Sequence, residues 1–123
     1  SAFRFLAGTP NVPALYACRP ALELIRTLGT ERIRQTSIQL TEFLRQALLE
    51  RGVKVSSPDD PSSRNGMLCL EPPKDRGGNE IVDALSRQGI LIDYRPDCGL
   101  RVSPHFYSNQ ADLESFLQAF CST

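Results

Sequence analysis

The chain has 123 residues, of which 41% are hydrophobic and 23% charged, enough for one domain with a modest core. Fourteen basic residues balance fourteen acidic ones, which argues against a general nucleic-acid binder, since such proteins usually carry a basic excess. No apolar run approaches the roughly 18 residues that a membrane span needs, and the N-terminal stretch lacks the pattern of a signal peptide.

The few histidine, cysteine and methionine residues indicate whether to expect a metal site, disulfides or a longer parent protein. Only one histidine is present and no two cysteines form a CxxC pair, so a metal site has little support. Cys18 and Cys69 lie in apolar stretches, where free cysteine behaves as a small hydrophobe. The even count of four leaves disulfides open, but this context predicts reduced thiols and a cytoplasmic location. The only methionine is Met67, so we expect a piece of a longer protein.

The first third of the chain predicts an arm followed by two helices. Residues 3–12 indicate an apolar strand or arm and a turn at Gly8, after which Asn11 is a plausible N-cap. Pro20 should kink the first helix or split it in two, and Gly52 should close the second. The first helix should bury one stripe of residues at helical spacing, namely Leu15, Cys18, Leu22, Ile25 and Leu28.

The remainder predicts four short strands and two helices. A third helix capped by Asn79 follows the second strand, and Ser108 or Asn109 caps the last helix. The strands are expected at 53–55, 67–70, 90–94 and 100–103. The order α-α-β-β-α-β-β-α predicts an α+β fold, a small antiparallel or mixed four-stranded sheet with helices packed on one face.

The best candidate for a binding residue is Arg101, in the middle of the last strand. Strand alternation places Leu100 and Val102 on one face and Arg101 on the other. Because the helices must cover the Leu/Val face, Arg101 points away from the core. It is either a solvated strand residue or a fixed cation for an anion, since arginine suits bidentate binding of a carboxylate.

A second candidate is the turn Gly8–Asn11, just before the first helix. Glycine next to a hydroxyl at a helix N-terminus can present N–H groups and the Thr9 hydroxyl to a phosphate, although a capped turn explains the same residues. His105 is the sole histidine, and neither Lys54 nor Lys74 lies in the desolvated surroundings that a Schiff-base lysine needs. The chain therefore contains no self-contained catalytic constellation.

Two segments carry a resemblance to a known family. FLAGTPNVPALYACRPALELI near the start and IDYRPDCGLRVSPHFYSNQADLESFL near the end resemble the C-terminal part of class V aminotransferase-fold enzymes. These fold-type I enzymes depend on pyridoxal phosphate and include kynureninase, cysteine desulfurases and isopenicillin-N-epimerase-like proteins. The resemblance covers nearly the whole chain, and it implies residues 1–12 as an interface arm and residues 13–123 as a C-terminal small domain.

The resemblance also implies roles for single residues. It places binding of the substrate α-carboxylate on Arg101 and puts Arg95 at a position where an arginine is common. It places Gly8 and Thr9 at a dimer interface, where the threonine contacts the cofactor phosphate of the neighbouring subunit. The lysine that carries pyridoxal phosphate belongs to a preceding large domain in this family and is absent from this chain, and Ser108 replaces the usual asparagine.

These expectations combine into one functional interpretation with two alternatives. The chain is expected to be a domain of a pyridoxal-phosphate-dependent, class V aminotransferase-like enzyme of amino-acid metabolism. The fragment alone would be inactive, and its partners would be an amino-acid substrate, the large cofactor-binding domain and a second copy in a homodimer. The alternatives are a kynureninase-type hydrolase domain and a free-standing α+β binding or dimerisation module without chemistry.

Overall fold

A computed structural model describes residues 2–5 and 8–122 of the chain. The residues divide into two compact units, Ser1–Arg32 and Ile33–Thr123. The division between the two units falls within a helix.

The first unit is helical. A short 3-10 helix, Ala2–Phe5, is followed by helix α1, Val12–Leu28. Asn11 caps α1 as predicted, because its side-chain oxygen accepts a hydrogen bond from the N–H of Ala14 at 3.1 Å. Pro20 lies inside α1 without splitting it. The prediction of a buried stripe is wrong, since no residue of α1 is buried. Of the stripe, Leu28 is half-buried and the other four residues are exposed.

Helix α2, Thr30–Glu50, begins in the first unit and runs into the second. Gly29 separates it from α1 and has a φ of 81°, a conformation that glycine adopts without strain. At the other end the Gly52 N–H donates to the carbonyl oxygen of Leu49 at 2.9 Å, with a φ of 74° at Gly52. Gly52 therefore closes α2 as the sequence predicts, and Gly29 ends α1 in the same way.

The second unit is built around an antiparallel sheet of three strands: β1, Leu68–Leu70; β2, Asp93–Arg95; and β3, Gly99–Val102. The strands lie in the order β1-β3-β2, with β3 in the centre. Helix α3, Gly78–Ser86, connects β1 to β2, and helix α4, Gln110–Ser122, follows β3. The α+β class is confirmed, and the sheet is antiparallel rather than mixed.

The four-stranded sheet was wrong by one strand. The segment expected at 53–55 contributes a single bridge, between Val55 and Leu70. Two backbone hydrogen bonds still tie it to the edge of β1, from Ser56 N–H to the Cys69 carbonyl and from Glu71 N–H to the Lys54 carbonyl, both 2.9 Å long. The segment therefore lies beside the sheet, but its pairing is too short to extend a regular ladder.

One face of the sheet lies in the hydrophobic core. Leu68, Leu70, Leu100 and Val102 are buried there, against apolar residues of the helices. The helical contribution comes from α2, α3 and α4: Leu44, Leu48, Ile81, Leu85, Leu113, Phe116, Leu117, Ala119 and Phe120. Burial of Leu100 and Val102 confirms the predicted orientation of the last strand.

The caps of α3 and α4 complete this unit. Helix α3 begins at Gly78, so the prediction of Asn79 as its cap was wrong; the Glu80 carboxylate instead accepts a hydrogen bond from the Gly77 N–H at 3.2 Å. Asn109 caps α4, because its side-chain oxygen accepts from the Asp112 N–H at 3.1 Å. The Asp112 carboxylate accepts in return from the Asn109 N–H at 2.9 Å, which makes the cap reciprocal.

Candidate functional site

The face of the sheet opposite the core carries a row of three polar side chains, one from each strand. Cys69 of β1 pairs in register with Arg101 of β3, and Arg101 pairs with Asp93 of β2. Residues that are directly opposite on neighbouring strands point to the same face. The next row is Leu70, Leu100 and Tyr94, which packs in or against the core. The outward face of the sheet thus carries polar side chains, and the core face carries side chains that pack in the hydrophobic core.

Arg101 is held at the centre of this row by an ion pair. One of its terminal nitrogens, Nη2, donates a hydrogen bond to the Asp93 carboxylate. The same carboxylate oxygen lies 3.3 Å from the Nε of Arg95. Asp93 therefore bridges two arginines, and the side chain of Arg101 is 32% exposed. The Nε of Arg101 is buried without a hydrogen-bond partner, so the guanidinium retains unused donor capacity.

The pair shifts the acid–base behaviour of both partners. The hydrogen bond from Arg101 lowers the pKa of Asp93 below its ordinary value of 3.8, and the charges of Arg101 and Arg95 act in the same direction. The hydrogen bond to Asp93 raises the pKa of Arg101, and the charge of Asp93 adds to this. Both groups are consequently ionised over the whole neutral range, and Arg101 is a permanent cation at this face.

A tight turn between β2 and β3 sets the position of Arg101 along the sheet. The Cys98 N–H donates to the Arg95 carbonyl at 3.2 Å, and Asp97 has a positive φ of 67°. Gly99 has a φ of 93°, and a Cβ at this position would collide with the carbonyl oxygen of Leu70 on β1. Glycine is therefore required here twice, for its backbone conformation and for the close approach of β1.

Strand β3 ends at Val102, and Ser103 and Pro104 lead into an aromatic segment, His105–Tyr107. The rings of His105 and Tyr107 lie 4.2 Å apart, and those of His105 and Phe106 lie 4.4 Å apart. Tyr107 is 76% exposed. The Ser108 N–H donates to the His105 carbonyl at 2.8 Å, which closes a turn before α4. The cluster therefore presents aromatic surface beside the end of β3.

The second candidate, Gly8 and Thr9, lies in the first unit of the chain. Both residues are exposed, and a Cβ at Gly8 would meet nothing within 4 Å. The space around Gly8 is therefore open enough for a phosphate to approach. Arg95 and Arg101 lie in the second unit, where both contact Asp93. Gly8 and Thr9 belong to the first unit.

Neither lysine lies in a desolvated environment. The ammonium group of Lys54 is 3.2 Å from the Glu71 carboxylate, and the Lys54 side chain is 73% exposed. Lys74 is exposed in the loop after β1. Within residues 2–5 and 8–122, no cluster of three or more His, Cys, Asp or Glu side chains is arranged to hold a metal ion. No helix in that part of the chain is long and apolar enough to cross a membrane.

Sequence reasoning missed two members of the row, Asp93 and Cys69. Both were placed in strands, but neither was connected with Arg101. Asp93 precedes Arg101 by eight residues across a turn, and an acidic residue at that spacing before a strand arginine is the signal that would have indicated the pair. Cys69 was interpreted as a small core hydrophobe, although it alternates with the buried Leu68 and Leu70 and must face the other way.

Comparison with known proteins gives the family. The family model of the kynureninase C-terminal domain matches residues 33–120, which are more than half of the chain and nearly all of the second unit. Kynureninase from Geobacillus thermodenitrificans is 32% identical over 79% of this chain and 23% of its own length. Kynureninase from Koribacter versatilis is 30% identical over 92% of this chain and 27% of its own length. The chain thus spans about a quarter of these relatives.

Solved structures agree on the fold. A cysteine desulfurase from Thermococcus onnurineus superposes with a TM-score of 0.84 at 22% identity, over 94% of this chain and 32% of that one. A NifS-like protein superposes with a TM-score of 0.76 at 20% identity, over 93% of this chain and 34% of that one. The resemblance to the C-terminal part of class V aminotransferase-fold enzymes is confirmed, and the chain belongs to the kynureninase C-terminal domain family.

Proposed function

We propose that this chain is the C-terminal domain of a pyridoxal-phosphate-dependent hydrolase of the kynureninase type, and that Arg101 binds the α-carboxylate of the amino-acid substrate. The family match favours the kynureninase-type hydrolase, one of the alternatives that the sequence left open, over transamination. Because the chain spans only about a quarter of its relatives, the complete active site requires residues of a larger protein. The partly exposed Arg101 on the outward face of the sheet carries the proposal.

The chemistry of Arg101 suits a carboxylate ligand. Its guanidinium is ionised at all relevant pH values, and Asp93 engages it through a single terminal nitrogen. A planar cation with unused N–H donors forms two parallel hydrogen bonds to a carboxylate. Asp93 holds the side chain in place, so less conformational entropy is lost when a substrate binds. Arg95, on the other side of Asp93, adds positive charge to the same face.

The residues present fit a supporting role toward the cofactor. Lys54 and Lys74 are both exposed, so we assign the lysine that carries the cofactor to another part of the protein. Thr9 has an accessible hydroxyl, and Gly8 leaves open space beside it. These two residues would contact the cofactor phosphate, with Thr9 donating from its hydroxyl, in a homodimer of the parent protein. Pyridoxal phosphate, when bound, supplies the electron sink for bond cleavage in the substrate.

Substitution of Arg101 tests the carboxylate assignment. In the full-length protein, Arg101→Ala should raise KM for kynurenine roughly 10- to 100-fold, because the carboxylate loses a charged partner. The content of bound pyridoxal phosphate should stay normal. Arg87→Ala is the matched control, since Arg87 is an exposed arginine at the end of α3, away from the polar row. If steady-state kinetics give the same KM and kcat for Arg101→Ala as for the wild type, Arg101 is a solvated strand residue without a role in substrate binding.

Substitution of Thr9 tests the phosphate contact separately. Thr9→Ala removes one hydroxyl donor and should weaken pyridoxal phosphate binding about 10- to 100-fold, as for loss of one hydrogen bond to a charged group. Thr9→Ser keeps the hydroxyl and should restore the affinity. The measurement is equilibrium titration of the cofactor-free, full-length protein. Equal cofactor affinity for wild type and Thr9→Ala would remove Thr9 from the site and leave the Arg101 assignment untouched.

A further inference from the structure

Two thiols lie against each other beside Arg101, and the proposed function uses neither. The sulfur atoms of Cys69 and Cys98 are 3.2 Å apart, although the residues are 29 positions apart in the chain. Cys69 lies in β1, and Cys98 lies in the turn between β2 and β3. Both thiols are free and partly buried. The sulfur of a disulfide is bonded at about 2.05 Å, so closure needs a movement of about 1 Å.

The backbone, rather than flexible side chains, brings these sulfurs together. Cys69 is held by its ladder pairing with Arg101, and its N–H donates to the Ser57 hydroxyl at 2.8 Å. Cys98 is held by the hydrogen bond from its N–H to the Arg95 carbonyl at 3.2 Å. Its position also depends on the left-handed conformation of Asp97. The contact is therefore a fixed property of the sheet and its turn.

A cation lies beside the two thiols. The charge of Arg101 interacts favourably with the ionised form of either cysteine, so a thiolate at this position is stabilised. Burial and the hydrogen bond to Cys98 raise the pKa of the Cys69 thiol, and the charge of Arg101 opposes this. The thiolate is the form that attacks a disulfide, so Arg101 favours the reaction at this pair.

A small molecule has access to both sulfurs. An open surface cavity of about 430 Å³ is lined by Cys69 and Cys98, together with Ser57, Asn65 and Met67. All of these residues belong to the second unit of the chain. The cavity has room for a small disulfide to approach the pair from outside the sheet.

We propose that Cys69 and Cys98 form a dithiol modification site, which low-molecular-weight disulfides convert into an intrachain disulfide. The thiolate of one cysteine attacks one sulfur of the small disulfide, which forms a mixed disulfide and releases one small thiolate. The thiolate of the other cysteine then attacks the protein sulfur of that mixed disulfide, which forms the Cys69–Cys98 bond and releases the second small thiolate. The two protein thiols are oxidised, the small disulfide is reduced to two thiols, and the two cysteine protons pass to those products.

The other two cysteines provide internal controls. Cys18 and Cys121 are exposed, so they should react with the same reagent but stop at mixed disulfides. Trypsin places the four cysteines in four different peptides, because it cuts after Arg64, Lys74, Arg87 and Arg101 and spares the Arg95–Pro96 bond. Cys69 is recovered in peptide 65–74 and Cys98 in peptide 88–101. A bond between them therefore joins two peptides that are otherwise separate.

The test is oxidation of the folded, full-length protein with glutathione disulfide, acid quenching and non-reducing peptide mapping. The expected result is a joined species of peptides 65–74 and 88–101, which dithiothreitol separates again. Cys69→Ser should leave Cys98 as a glutathione mixed disulfide, whereas the matched Cys121→Ser variant should still form the bond. Recovery of Cys69 and Cys98 as separate thiols or separate mixed disulfides in the wild-type protein would overturn the proposal. Joining only after urea is added would overturn it equally.

Discussion

The two faces of the same small sheet follow different rules. On the core face, the side chains need only be apolar and of suitable volume, because each is buried by contacts with several other core residues. These side chains are Leu68, Leu70, Leu100 and Val102. On the opposite face, Cys69, Arg101 and Asp93 form one row with defined partners. Packing on the core face therefore depends on many contacts together, whereas the polar row depends on the register of three strands.

The largest expected effect comes from breaking the core face. Leu100 is fully buried, so Leu100→Ala should destabilise the chain by about 2–5 kcal/mol through lost burial and the cavity that remains. Urea denaturation followed by circular dichroism measures the change. The matched substitution on the other face, Cys69→Ala, should lower the unfolding free energy much less. Equal losses for both variants would contradict the division between the faces.

A smaller but still large effect is expected at the turn that sets the register. Gly99→Ala introduces a side chain at a φ of 93° and against the Leu70 carbonyl, so destabilisation of roughly 2–4 kcal/mol is expected. Gly52→Ala is the control, because Gly52 has a similar φ of 74° with nothing within 4 Å of the added carbon. It should cost only about 1 kcal/mol. Urea denaturation in which Gly52→Ala costs as much as Gly99→Ala would show that close approach to β1 is unimportant.

The smallest effect is expected from the ion pair itself. Because Asp93 has a pKa below 3.8 in the folded state, its contribution to stability is present above that pH. The contribution is lost as the pH falls through the lowered pKa and Asp93 becomes protonated. Asp93→Asn should therefore reduce the fall in stability on acidification below about pH 4. Urea midpoints measured between pH 2 and pH 6 give this slope, and an unchanged slope would mean that the pair contributes nothing.

The sequence predicted the core face well because its signal is local. Alternation of Leu100, Arg101 and Val102 determines which residues point inward, and this requires no knowledge of the neighbouring strands. The same is true of Gly52 as a helix end and of Asn109 as a cap, since each depends on residues within one turn. Arg101 was identified by this local pattern together with the family resemblance.

The remainder depended on contacts between distant residues. Alternation within each strand shows that Cys69 and Arg101 point away from the buried residues of their own strands. Only the pairing of β1 with β3 makes the two residues neighbours. The contact between Cys69 and Cys98 needs the turn geometry at Asp97 as well. The predicted fourth strand failed for a related reason, because Val53 to Val55 has a strand pattern but reaches β1 at one bridge only. The exposure of α1 is likewise not encoded in its helical periodicity.

The proposed recognition of a carboxylate by the charge of Arg101 can be measured with a pair of substrates. The measurement compares kcat/KM for kynurenine and for its α-carboxamide in the full-length enzyme and in Arg101→Gln. The amide keeps the shape of the substrate and lacks the negative charge. We predict that the wild-type enzyme prefers the acid by roughly 10-fold or more and that Arg101→Gln loses most of this preference. An Arg101→Gln enzyme that keeps the full preference for the acid would contradict the account.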